Sequence, residues 1–133
     1  MKYLCLVYLD EEKLAAAYAG QGEHLSDEEC LAYDEAIRKQ GYCLASEALQ
    51  PVRDATTVRV RGGQVSLTDG PFAETKEQLA GFYLIEARDL NAAIRIASGI
   101  PPARIGCVEV RPLRELMHED GRARTRLAPA RGA

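Results

Sequence analysis

The opening run Tyr3-Leu4-Cys5-Leu6-Val7-Tyr8-Leu9 is apolar at every position. A strand with one wet face alternates apolar and polar residues, so an unbroken run predicts a central strand covered on both sides. Any fold for this chain must therefore find two covers for one sheet. The remaining segments decide how many of those covers the chain supplies itself.

Ser26 opens a helix: its hydroxyl caps the backbone while Glu29, three residues on, reaches back, and Leu25 and Cys30 flank them as a staple. The inward stripe is Cys30, Tyr33 and Ile37, and Gly41 stops it. Tyr42 to Leu49 reads as the next strand, ended by Pro51. Thr56 to Arg61 alternates, with Val58 and Val60 on one face and Thr57, Arg59 and Arg61 on the other. Gly62-Gly63 makes a two-residue hairpin turn, and Gln64 to Thr68 returns with Val65 and Leu67 inward. Leu79 to Glu86 is another apolar strand. Asp89 caps a second helix, with Leu90, Ala93, Ile94 and Ala97 facing inward and Pro101-Pro102 terminating it. Ile105 to Val110 forms the last strand. Asp10 to Gly22 reads as an irregular excursion, because Gly20 and Gly22 follow its short alanine-rich stretch.

With the hairpin set aside, the order is βαββαβ, an α+β chain of the ferredoxin-like pattern with an inserted β-hairpin. Two helices cover only one face of such a sheet. The other face, with residues such as Leu4 and Leu6 or their alternates along the strand, stays apolar, and a monomer rarely exposes several hundred Å² of contiguous apolar surface. Face-to-face pairing of two copies, a homodimer, is the expected solution. Past Pro112 the periodicity is lost. The domain is thus expected over residues 1–113, and 114–133, with Arg122, Arg124, Arg126 and Arg131, as a flexible arginine-rich tail.

A chain of 133 residues with 47% hydrophobic and 28% charged residues suits one domain with a real core. Its net charge of −3 argues against a nucleic-acid or acidic-membrane binder. No stretch approaches the roughly 20 apolar residues of a membrane helix, and the opening run lacks a signal-peptide cleavage site, so a cytoplasmic protein is expected. Cys5, Cys30, Cys43 and Cys107 contain no Cys-x-x-Cys pair and read as reduced, buried fillers. With only His24 and His118 beside them, no metal-ligand set emerges. Gly62-Gly63 lacks the following helix of a phosphate cradle, and Ser46 and Ser66 have no histidine partner. No cofactor is expected.

The chemistry concentrates in Asp69-Gly70-Pro71-Phe72-Ala73-Glu74-Thr75-Lys76-Glu77. Asp69 is a candidate general base or substrate-binding carboxylate; the competing reading is that it caps its own turn. Phe72 reads as a plug seating the loop or, less simply, as a substrate platform. Lys76 offers an ammonium to an anionic ligand, or pairs with Glu74 and Glu77 on a wet surface. Glu47 sits in the small, apolar strand Cys43–Leu49. Turned inward, it needs Arg59, Lys76 or Arg111 as a partner, and with Asp69 it divides acid and base roles; turned outward, that argument disappears. Tyr8 and Tyr83 add hydroxyls to such a pocket, unless they are core residues with wet tips. The candidate catalytic residues are therefore Asp69 and Glu47, and the candidate ligand-binding residues Lys76, Phe72, Glu74, Arg59, Tyr8 and Tyr83.

Thr68 to Leu79 resembles the signature of the DGPF proteins, a branch of the YCII-related superfamily. Thr56–Arg61, Gly81–Ile85 and Val108–Pro112 are also similar to the family pattern, so the resemblance covers roughly residues 1–113. It implies a dimeric α+β barrel, in which two ferredoxin-like sheets pack face to face. Such folds host lyases, isomerases and oxygenase-like enzymes that hold no cofactor. For YCII-related proteins it implies a histidine–aspartate pair, of which only Asp69 transfers here, because neither His24 nor His118 falls where the motif places a histidine. The resemblance further implies a link to sigma factors of the extracytoplasmic-function type. Two readings follow: a homodimer binding a small molecule beside the Asp69 loop, or a non-enzymatic regulatory protein that engages a sigma factor.

Overall fold

The computed structural model describes residues 1–126. In chain order its elements are β1 (Lys2–Leu9), α1 (Glu11–Tyr18), α2 (Asp27–Lys39), β2 (Cys43–Ala48), β3 (Thr56–Arg61), β4 (Gln64–Asp69), β5 (Gln78–Glu86), α3 (Leu90–Ser98) and β6 (Cys107–Pro112). Four strands form one sheet in the order β2-β5-β1-β6, with all neighbours antiparallel. β3 and β4 pair only with each other, as a separate antiparallel ribbon. This α+β arrangement, with β1 near the middle of its sheet, is compatible with a ferredoxin-like fold.

The two faces of β1 meet different fates. Tyr3, Cys5, Val7 and Leu9 are buried, and all but Leu9 pack in one cluster with Ile37, Ile85, Ala93, Ile96 and Ile100. Leu4, Leu6 and Tyr8 point the other way and are only half-buried. On that open face Leu4 lies opposite Leu84, and Leu6 opposite Phe82. Helices α2 and α3 thus cover one face, and no described element covers the other.

The stretch expected to be irregular contains a helix. Asp10 caps α1 by accepting hydrogen bonds from the Glu12 and Lys13 N–H groups, and Glu11 and Glu12 sit in the positive first turn. Gly20 and Gly22, at φ of +79° and +72°, then turn the chain, so the glycines end the helix rather than forbid it. Ser26 caps α2 as anticipated, accepting from the Glu29 N–H at 3.3 Å. The Glu29 carboxylate does not complete a capping box, because Arg104 takes it.

Asp89 caps α3 through the Ala92 N–H. The buried stripe is Ala93, Ile96 and Ala97, whereas Leu90 and Ile94 are exposed, contrary to expectation. Alanines on the sheet side permit a close approach, which Ile96 and Ile100 then fill. The helix closes at Gly99, ahead of the prolines, and Pro101–Arg104 forms a single 3-10 turn. The Tyr33 hydroxyl donates to the Ile96 carbonyl, tying α2 to the end of α3.

Past the last strand, residues 114–126 fold back through a bridge between Met117 and Ala123, with surface ion pairs Arg122–Asp120 and Arg126–Glu115. The rest of the anticipated tail, Arg131 included, lies outside the described residues. Among the described residues no helix is long and apolar enough to cross a membrane.

Candidate functional site

Several segments converge beyond the C-terminal end of β1. Leu9 faces Gln78 at the start of β5, and Tyr8 faces Cys107 at the start of β6. The Gln78 amide oxygen accepts from the Glu11 N–H at 3.2 Å, while its nitrogen donates to the Thr75 carbonyl at 2.6 Å. The end of the 70–77 loop is thereby fixed to the start of α1. Gly106 is required here, because a Cβ at that position would lie 2.0 Å from the Tyr8 carbonyl oxygen.

These segments enclose an open cleft of about 550 Å³, whose wall includes Lys13, Gln21, Glu23, Glu77, Arg104 and Gly106. Arg104 commits four of its five donors to that wall. Its Nε lies 2.8 Å from a Glu23 oxygen. Its two terminal nitrogens donate to both oxygens of Glu29 at 2.6 and 2.9 Å, and one also reaches the His24 carbonyl at 2.9 Å. This bidentate pairing holds the Glu29 carboxyl below the usual carboxylate range. Arg104 therefore stiffens the loop between α1 and α2 and, among the described residues, leaves only one N–H unpaired.

Lys13 and Glu77 differ. Among the described residues Lys13 forms no ion pair, and the Glu77 carboxylate meets only the Cys107 thiol, at 3.7 Å. Partial desolvation and the neighbouring Glu77 carboxylate push the Cys107 thiol up. Cys107 is exposed, which corrects the expectation of four buried cysteines. Cys5 and Cys43 are buried, and burial, followed by the proximity of Cys43, raises the Cys5 thiol to about 11.

The residues singled out from sequence fall in several places. Asp69 ends β4 and is exposed, on the ribbon face that alternation also gives to Val58, Val60, Val65 and Leu67. Among the described residues nothing donates to its carboxylate, so it does not cap its own turn. The turn is held instead by the Gly70 N–H on the Ala55 carbonyl at 2.7 Å and by the Thr57 hydroxyl on the Gly70 carbonyl at 2.9 Å. Arg59 lies on the opposite ribbon face. Phe72 is 78% exposed, so among the described residues it does not seat the loop as a plug. Lys76 and Glu74 are also exposed and, among the described residues, do not pair with each other. Glu47 is exposed on the open sheet face, opposite Phe82, and none of the three anticipated cations meets it; Arg111 pairs with Glu109. Tyr8 is half-buried on that same face. Tyr83 lies in the core on the helix side, where burial pushes its phenol up, so the two tyrosines share no pocket.

Within one chain, then, Asp69 and Glu47 do not converge on the cleft. Its charged wall comes from Lys13, Glu23 and Arg104, which sequence reasoning passed over, and from Glu77, the last residue of the charge-dense run. Comparison with known proteins adds two findings. The YCII-related domain family matches residues 1–117. An uncharacterized protein of Rhizobium meliloti (strain 1021) is 36% identical over 115 residues, which cover 85% of this chain and 92% of the relative. A family match over almost the whole described chain and a full-length relative agree: the protein belongs to the YCII-related family.

Proposed function

We propose that this YCII-related protein is a homodimer that holds a small zwitterionic molecule in the cleft at the end of β1. One observation carries the binding reading: Lys13 and Glu77, neither in an ion pair among the described residues, line a single cleft of about 550 Å³ whose other charges, Glu23 and Arg104, pair with each other. That volume lies within the range of about 300–1,000 Å³ typical of small-ligand sites. The Lys13 ammonium receives the anionic group of the ligand, and the Glu77 carboxylate its cationic or hydrogen-bond-donating group. Such a pair also suits proton transfer without a cofactor, with Glu77 taking the proton and Lys13 stabilising the charge left behind. The loop resembling the DGPF signature runs from Asp69 to Glu77, so the motif supplies one edge of this cleft.

The open sheet face supports the dimer. Leu4, Leu6, Phe82 and Leu84 form contiguous cross-strand rows there, and a second copy shields them most simply.

The test is an NMR titration of the whole chain with a panel of amino acids and small amino sulfonates. Shifts should cluster on Lys13, Gln21, Glu77 and Gly106, and should vanish in Lys13→Ala and Glu77→Gln. Shifts elsewhere, or none across the panel, refute the binding reading. Sedimentation equilibrium tests the dimer separately.

A further inference from the structure

The ribbon of β3 and β4 presents a problem that the described residues of its own chain do not solve. Val58 lies opposite Leu67 and Val60 opposite Val65, so four aliphatic side chains share one face. They are 56–68% exposed, and Phe72, just beyond the ribbon, is 78% exposed. A two-stranded ribbon with its apolar face in water is marginal, because nothing repays the ordering of its backbone. Yet this ribbon has clean alternation and a full ladder from Thr56–Asp69 to Arg61–Gln64, the pattern of a surface built to be covered.

We propose that a second copy of this chain covers it: each ribbon clasps the rim of the partner's open sheet face and carries Asp69 into the interface. This rests on the dimer reading above. Three observations favour a second copy over an unrelated protein. First, the described residues of one chain leave two apolar surfaces uncovered, the ribbon face and the sheet face of Leu4, Leu6, Phe82 and Leu84, and a two-fold axis lets each cover the other twice. Second, a stable pair needs about 800 Å² from each partner. A ribbon of four aliphatics alone offers too little, so the clasp adds to the contact of the sheet face rather than replacing it. Third, one charge pairing is available. Among the described residues Asp69, on the ribbon's apolar face, has no partner, and Lys2, on the open sheet face in register with Glu86, forms no ion pair, whereas Arg111 on that face is held by Glu109. Sheet pairing without the clasp would leave Asp69 in water and the ribbon bare.

The test is Val58→Lys combined with Leu67→Glu. These positions lie directly opposite each other, so the new charges attract and keep the ribbon paired in a folded monomer, but they resist burial against a partner. Sedimentation equilibrium on the full chain should show a wild-type dimer and a variant whose dissociation constant is at least 100-fold weaker, with unchanged far-UV circular dichroism. A variant that dimerises as well as wild type overturns the clasp and leaves the dimer standing; a monomeric wild type overturns both. An independent measurement needs no variant. In a dimer mixed from isotope-labelled and unlabelled chains, filtered NOEs should connect Val58 and Leu67 methyls with methyls of Leu4 and Leu6 of the partner subunit. A dimer without those NOEs also overturns the clasp.

Discussion

Gly106 runs so close to Tyr8 that a Cβ on it would sit 2.0 Å from the Tyr8 carbonyl oxygen and 2.9 Å from the Leu9 Cβ. Two backbones thus press together where β6 begins and β1 ends, at the floor of the cleft. Backbone on both sides cannot swing away as a flexible side chain can.

Gly106→Ala should therefore cost about 2–3 kcal/mol, the upper part of the range for overpacking. Urea denaturation measures it, and the ladder between Tyr8 and Cys107 should lose amide-exchange protection first. A variant as stable as wild type would show that the two backbones separate freely.

Tyr33 and Gly99 are coupled in the same way. Removing the hydroxyl with Tyr33→Phe leaves the Ile96 carbonyl without that donor and should cost about 1 kcal/mol. Gly99→Ala drives a methyl into the ring, to within 2.6 Å of a ring carbon, and should cost more. In a Tyr33→Ala background the Gly99→Ala penalty should largely vanish, a non-additivity read from the double-mutant cycle.

Arg104 makes stability pH-dependent on the acid side. Glu29 stays ionised to lower pH in the folded chain than its ordinary value of 4.5. Its contribution is therefore complete above about 4.5 and is lost as pH falls through the lower folded value. Arg104→Gln should flatten the fall in urea midpoint as pH drops below about 4.5. Asp89 and Asp120 are also held low by their own hydrogen bonds, so part of the slope should persist.

The thiols should separate by burial. At pH 8, Cys107 should react first with a thiol reagent, whereas Cys5, raised to about 11, should react only on unfolding. The neutral Cys5 thiol contributes fully below its ordinary value of 9.0, and that contribution falls as pH climbs toward about 11. Rapid native labelling of Cys5 would contradict its burial.

Much of the fold was legible because its signals are local. Ser26 and Asp89 cap the helices they precede, and Gly62-Gly63, both at positive φ, turn the ribbon. α1 was harder to read, since its eight residues bury only Ala17 and so carry almost no apolar stripe. In α3 six of the nine residues are apolar, and two stripes satisfied the helical period equally; which one faced the sheet depended on the room alanine leaves. Phe72 illustrates a deeper limit, because residue type does not reveal whether a covering neighbour belongs to the same chain. The cleft was the least legible part. Lys13, Glu23 and Arg104 meet only because antiparallel pairing brings the end of β1 and the start of β6 together.

Arg104 draws its acceptors from Glu23, His24 and Glu29, all outside the sheet. Floor and sidewall of the recess are consequently separable parts. The sheet fixes the floor, and a single guanidinium buttons the sidewall onto it. An engineer could exchange residues 19–22 for a longer or differently charged segment and so alter what the recess admits, without disturbing any strand.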